Sequence, residues 1–209
     1  MPHVFDLSSQ HADLDAKIVA GLERIGRALA LELGERARKE GLSSIQAHII
    51  LFLKHHPESE RRVGLLARHF DLTHATVSDA VSALEAKGFV ARRPLDEDRR
   101  VVVLSLTDAG RKLAASLEGW ADHVRDLVSR LDPQDKPGAF RFIENVIALL
   151  QEAGLITVAR MCRTCRHFRP DVRPGPAPHH CALLEKPLAD SELRLDCPEY
   201  RAASSRSGS

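Results

Sequence analysis

The chain has 209 residues, enough for one large domain or an ordinary domain with a small companion. Lys and Arg number 30 and Asp and Glu 29, which excludes a strongly basic nucleic-acid coat but not a local basic patch. Apolar residues make up 44% in runs too short to span a membrane, and MPHVFDLSSQ lacks the basic and apolar regions of a signal peptide, so a cytoplasmic protein is expected.

Leu14, Ile18, Leu22, Ile25, Leu29 and Leu33 recur at spacings of four and three, which predicts a helix ending near Gly41. A helix this long outruns the core of so small a body, so another chain is expected to cover it. Ser43 is a plausible N-cap for the next helix, with Ile45, Ile49, Phe52 and Leu53 on its apolar side and His55-His56-Pro57 at its end. A short helix follows around Val63, Leu66, Ala67 and Phe70, then a break at Asp71-Leu72-Thr73 and a helix through Lys87, which Gly88 stops. Phe89–Arg93 and Val101–Leu106 change to strand composition around a polar hairpin loop, Pro94–Arg100. Thr107-Asp108 caps one further helix, expected to run unbroken along Leu113, Leu117, Trp120, Val124, Leu127 and Leu131 to Asp132-Pro133. A last helix is expected from about Lys136 to Gln151, with Phe140, Ile143, Ile147 and Leu150 on one face and Gly154 at its close.

The order is three helices, a short turn, a fourth helix and a two-stranded wing, a winged helix-turn-helix. The fold class expected is mainly α, with a two-stranded β-wing, long dimerisation helices and a small Cys-rich metal-binding module. The helix Thr73–Lys87 is expected to bury Val77, Ala80, Val81 and Leu84, which turns Ala75, Ser78, Asp79 and Ser82 to the opposite face. Small polar side chains there admit the helix to a major groove. Thr73, His74 and Thr76 crowd its first turn, where backbone N–H groups can meet phosphate. Arg99 and Arg100 at the loop tip are candidates for the minor groove, and Arg61, Arg62, Arg92 and Arg93 for phosphate.

Thr73–Val90, followed by Asp96-Glu97-Asp98-Arg99-Arg100 and Leu106-Thr107-Asp108-Ala109-Gly110, resembles the MarR family of bacterial transcription regulators, over roughly residues 6–152. The resemblance implies a homodimer formed through the first and last helices of the body. It also implies a palindromic double-stranded DNA operator, and repression relieved by a small-molecule effector or an oxidant. It implies further that Arg99 or Arg100 enters the minor groove, oriented by Asp98. Many relatives carry a basic residue where this chain has Asp79. Oxidant-sensing relatives often carry a cysteine in the first helix, which this chain lacks.

All four cysteines fall late: Cys162-x2-Cys165-x15-Cys181-x15-Cys197. Clustered cytosolic cysteines point to metal or redox chemistry rather than disulfides. Two thiolates from one C-x-x-C turn and two more complete a tetrahedral set, and a proline-rich segment of little core would gain its stability from the metal. Leu183, Leu184, Leu188, Leu193 and Leu195 are expected to form a small core around the site, with Phe168 and Tyr200 as shields and His167, His179 and His180 as spare ligands or as hydrogen-bond donors behind the ligands. Zinc is the commoner occupant of such a set. The spacing is also loosely similar to that of high-potential iron–sulfur proteins, so a [4Fe–4S] cluster is the alternative. The domains expected are a DNA-binding and dimerisation body over 1–155, the cysteine module over 156–201 and a disordered tail over 202–209.

No phosphate loop, nucleophile elbow or H-E-x-x-H motif is present, so no enzyme is expected. Two functions remain: a transcription regulator with a structural or sensory metal module, or a redox or iron–sulfur accessory protein using the winged helix only for dimerisation or protein contacts.

Overall fold

The computed structural model describes residues 6–8, 13–95 and 98–203. Asp96 and Glu97 of the wing, and residues 204–209 of the expected tail, lie outside the described residues. The chain divides into two compact units, Met1–Glu58 with Ser78–Ser129, and Ser59–Val77 with Arg130–Ser209.

The first unit begins with α1 (Leu14–Lys39), capped by Asp13, whose carboxylate accepts from the Asp15 N–H. Helix α2 (Ser44–His55) starts in a capping box: Ser43 accepts from the Gln46 N–H, and the Gln46 side chain accepts from the Ser43 N–H. Its interior is nearly all apolar, and Ala47, Ile49, Ile50 and Leu53 are fully buried. Helix α4 (His74–Ala86), which belongs to this unit from Ser78 onward, carries the chain into the wing, β1 (Val90–Pro94) and β2 (Val102–Leu106), paired antiparallel from Val90↔Leu106 to Pro94↔Val102. Helix α5 (Asp108–Leu117) follows, capped by Thr107, which accepts from the Gly110 N–H. Arg36 on α1 donates twice to the Ser116 carbonyl at the end of α5.

The long helix expected through Leu131 is broken. A 3-10 turn at Glu118–Ala121 separates α5 from α6 (Asp122–Ser129). Gly119 weakens helix there, and Lys54 and His55 both pair with Glu118 at 2.6 and 2.9 Å. The pairing with Lys54 above all holds the Glu118 carboxyl below its ordinary range.

The second unit contains α3 (Val63–His69), α7 (Lys136–Glu152) and the cysteine segment. Pro137 sits in the first turn of α7, where its missing N–H costs nothing. A small antiparallel sheet, β3 (Phe168–Arg169), β4 (His179–Cys181) and β5 (Lys186–Leu188), follows in the order β3-β4-β5. This unit draws on both sides of residue 155. The chain stays paired beyond residue 201. Cys165 bridges Ala202, and the Ala203 N–H donates to the Thr164 carbonyl at 3.1 Å. Ala202 and Ala203 therefore belong to the module rather than to a disordered tail.

Candidate nucleic-acid interface and four-cysteine cavity

Helix α4 is two-faced as its spacing predicts. Val77, Ala80, Val81 and Leu84 are buried. Thr73, His74, Ala75, Thr76, Asp79 and Ser82 are exposed, and Ser78 is half-buried. Thr73 holds the first turn: its Oγ1 accepts from the Thr76 N–H at 3.1 Å and pairs with Thr76 Oγ1 at 2.8 Å.

The back of α4 is clasped to the wing. Gly88, at φ 74°, ends the helix in a conformation that favours glycine. Thr107 Oγ1 donates to the Gly88 carbonyl at 2.7 Å, and the Thr107 N–H to the Phe89 carbonyl at 3.1 Å. A Cβ at Gly110 would stand 2.0 Å from that same Phe89 oxygen, so the last position of the L-T-x-x-G stretch must be glycine.

The wing arginines divide. Arg92 pairs with Glu85 at 2.8 Å and Arg93 with Glu58 at 2.6 Å. Both are committed within the protein, so a phosphate must compete with a carboxylate for each. Arg99 and Arg100 are exposed. Asp98 does not grip an arginine side chain: its Oδ1 accepts from the Arg100 backbone N–H at 3.0 Å and shapes the tip.

The four cysteines come from three pieces of backbone, and all four line one cavity. Cys162 opens a 3-10 turn, whose Cys165 N–H returns to the Cys162 carbonyl at 3.0 Å. Cys181 ends β4, opposite Phe168. The Cys197 N–H donates to the Arg160 carbonyl at 2.9 Å. All four thiols are free. Burial pushes the Cys162 and Cys197 thiols up, against the Arg194 N–H that donates to Cys162 Sγ at 3.3 Å and the Arg194 guanidinium 3.6 Å from Cys197 Sγ. Among the described residues, no three His, Cys, Asp or Glu side chains are placed to hold a single metal ion.

The expected shell holds in part. Leu188 and Leu193 are buried, while Leu183, Leu184 and Leu195 are 42–47% exposed. Phe168 and His167 line the cavity. Tyr200 braces the C-x-x-C turn instead, donating from its hydroxyl to the Thr164 carbonyl at 3.2 Å. His179 is no spare ligand: its Nδ1 accepts from the Asp171 N–H at 3.2 Å and its Nε2 lies 3.0 Å from Asp190. His180 stands beside Arg173 at 3.3 Å.

Three residues escaped the sequence reading. Glu144 is fully buried on α7, 3.3 Å from Arg163 in the C-x-x-C turn, and burial raises its carboxyl above the ordinary range. It sits four residues after Phe140 and three before Ile147, so a charge inside the apolar stripe was the available signal. Arg160, only 15% exposed, reaches Glu60, Asp196 at 3.3 Å and the Cys197 carbonyl at 2.9 Å. Asp71, in the turn before α4 at φ 52°, accepts from the Thr157 N–H at 2.6 Å. Arg160 and Asp71 gave no sequence signal, because their partners lie far along the chain.

A helix with a small, exposed face, followed by a two-stranded wing with arginines at its tip, defines a winged helix-turn-helix protein. Residues 40–101 match the model of the MarR family. The chain is 23% identical over 144 residues to the HTH-type transcriptional repressor YetL of Bacillus subtilis (strain 168), covering 62% of this chain and 86% of the relative. It is 30% identical over 97 residues to the repressor MdtR of the same organism, covering 46% and 61%. Among solved structures, the S. aureus MepR–DNA complex matches at 20% identity with a TM-score of 0.56, covering 63% of this chain and 97% of that one. The transcriptional regulator PA3341 matches at 26% with a TM-score of 0.58, covering 65% and 98%. Nearly the whole of each of these two structures thus matches about two thirds of this chain, and the other third has no counterpart in them.

Proposed function

We propose that the protein is a homodimeric, sequence-specific DNA-binding transcriptional regulator of the MarR type, a repressor acting in the cytoplasm on a palindromic operator, and not an enzyme. The observation that carries the reading is the two-faced α4, with aliphatic side chains buried behind an exposed face of Ala75, Asp79 and Ser82. Asp79 suits an acceptor for the cytosine N4 amino group. The tip arginines Arg99 and Arg100 supply the minor-groove contact, and MepR, a relative by fold, is solved on DNA.

Apolar exposure on two helices supports the dimer. Helix α1 leaves Leu14, Val19, Ile25 and Leu31 48–68% exposed, and α7 leaves Phe142, Ile143 and Leu149 39–63% exposed. Apolar exposure on that scale marks a protein interface. The cysteine module binds a metal group and acts on the helix-turn-helix through its ties to Glu60 and Asp71.

Selection of binding sites from a random duplex pool tests the reading. The expected result is an enriched inverted repeat, with affinity falling at least tenfold in an Arg99→Ala/Arg100→Ala double variant and a salt slope lower by about two. A pool that shows no sequence preference refutes it.

A further inference from the structure

A DNA-reading winged helix has no use for four cysteines around one cavity. We propose that Cys162, Cys165, Cys181 and Cys197 hold a [4Fe–4S] cluster rather than a zinc ion. This deepens the reading of the cysteines as a ligand set and is independent of DNA recognition.

Three observations carry it. The first is spacing. Four thiolates at about 2.3 Å from one zinc stand roughly 3.8 Å from each other. The four cysteines share a cavity, yet no three ligating side chains among the described residues converge as a single ion requires. A cluster takes one thiolate on each of its four irons, which sets the four sulfurs at the corners of a larger tetrahedron, much farther apart. The second is space. The cavity measures about 20 Å³, enough for a water. A zinc tetrathiolate leaves no such gap at its centre. The third is the wall. Phe168, Leu184 and Leu188 give an apolar lining, while the Arg194 N–H and guanidinium reach the sulfurs of Cys162 and Cys197. A 2+ cluster on four thiolates has a net charge of −2, and N–H···S bonds of this kind disperse it and tune its potential.

Loading is a ligand exchange. A preformed [4Fe–4S] core carried on four small thiolates meets four cysteine thiols. Each Sγ–H gives its proton to a departing thiolate, four Fe–S bonds form as four break, and no iron changes oxidation state.

The test uses the full chain, purified without oxygen, with iron, acid-labile sulfide and zinc counted per chain. The metal-free chain is then treated with a [4Fe–4S] core carried on 2-mercaptoethanol and desalted. The expected result is about four iron and four sulfide per chain with broad sulfide-to-iron charge-transfer absorption. Both are lost in Cys181→Ala and kept in His123→Ala, while the helical circular dichroism of both variants stays that of the parent. One zinc per chain that blocks cluster transfer overturns the proposal, as does a chain that takes up neither metal. Metal counts involve no DNA, so this failure is separable from failure of operator binding.

Discussion

The winged helix and the cysteine module are held together by different forces. Behind α4 and the wing, Ile49, Ile50, Leu53, Val81, Leu84 and Leu104 are at most 1% exposed, and hydrophobic burial does the work. In the module the buried apolar set shrinks to Ala159, Met161, Leu188 and Leu193. Buried polar groups take its place, Glu144 against Arg163 and His179 against Asp190. Part of this sequence thus folds on apolar periodicity, and part on a few long-range polar ties.

The largest effect that sharpens this contrast is expected for Leu84→Ala. The lost side chain is fully buried, so the first unit should lose about 2–5 kcal/mol in urea unfolding. The loss should be the same before and after metal is stripped; a loss that grows on stripping would break the contrast. Gly110→Ala comes next. Its Cβ collides with the Phe89 carbonyl, and about 1–3 kcal/mol is expected, together with weaker operator binding from a displaced wing. Arg160→Ala removes contacts to Glu60, Asp196 and the Cys197 carbonyl, at a cost of about 1–3 kcal/mol. Amide exchange should then quicken in residues 59–77 as well as around Cys197. Quickening confined to the module would mean that its state does not reach α3.

The smallest effect concerns pH. Burial raises the folded carboxyl of Glu144 above its ordinary 4.5, so folding favours its protonated form. The stability this group contributes is complete below that ordinary value and is lost as pH rises through the higher folded one. Glu144→Gln should flatten this part of the stability–pH curve. Asp190 runs the other way. Its hydrogen bond with His179 lowers its carboxyl, so its contribution is present above the ordinary 3.8 and lost as pH falls through the depressed value. The difference between parent and Glu144→Gln curves isolates the Glu144 term.

Local signals were the legible ones. Ser43 as cap, Gly88 as stop, the faces of α4 and the site of the wing each depend on residues a few positions apart. The gathering of four cysteines was legible too, because their types and spacing are unusual. What could not be read was set by partners far along the chain. The break at Glu118 answers to Lys54 and His55, over sixty residues earlier. Glu144 reads as a solvent charge until Arg163 is placed against it. Ala202 and Ala203 look like loose tail, yet their backbone completes the C-x-x-C turn. The identity of the group the four cysteines hold was not legible, because a zinc ion and a cluster both take four cysteines.

The clasp of Gly88, Phe89, Thr107 and Gly110 removes a joint from the molecule. The back of α4 and both strands of the wing are tied at this point, so a rigid movement of one carries the other. A regulatory signal can therefore tilt this reading head but not reshape it. Operator choice is then written in side chains on the head itself. Responsiveness is written in whatever leans on the head from outside, so the two properties are free to evolve at separate positions.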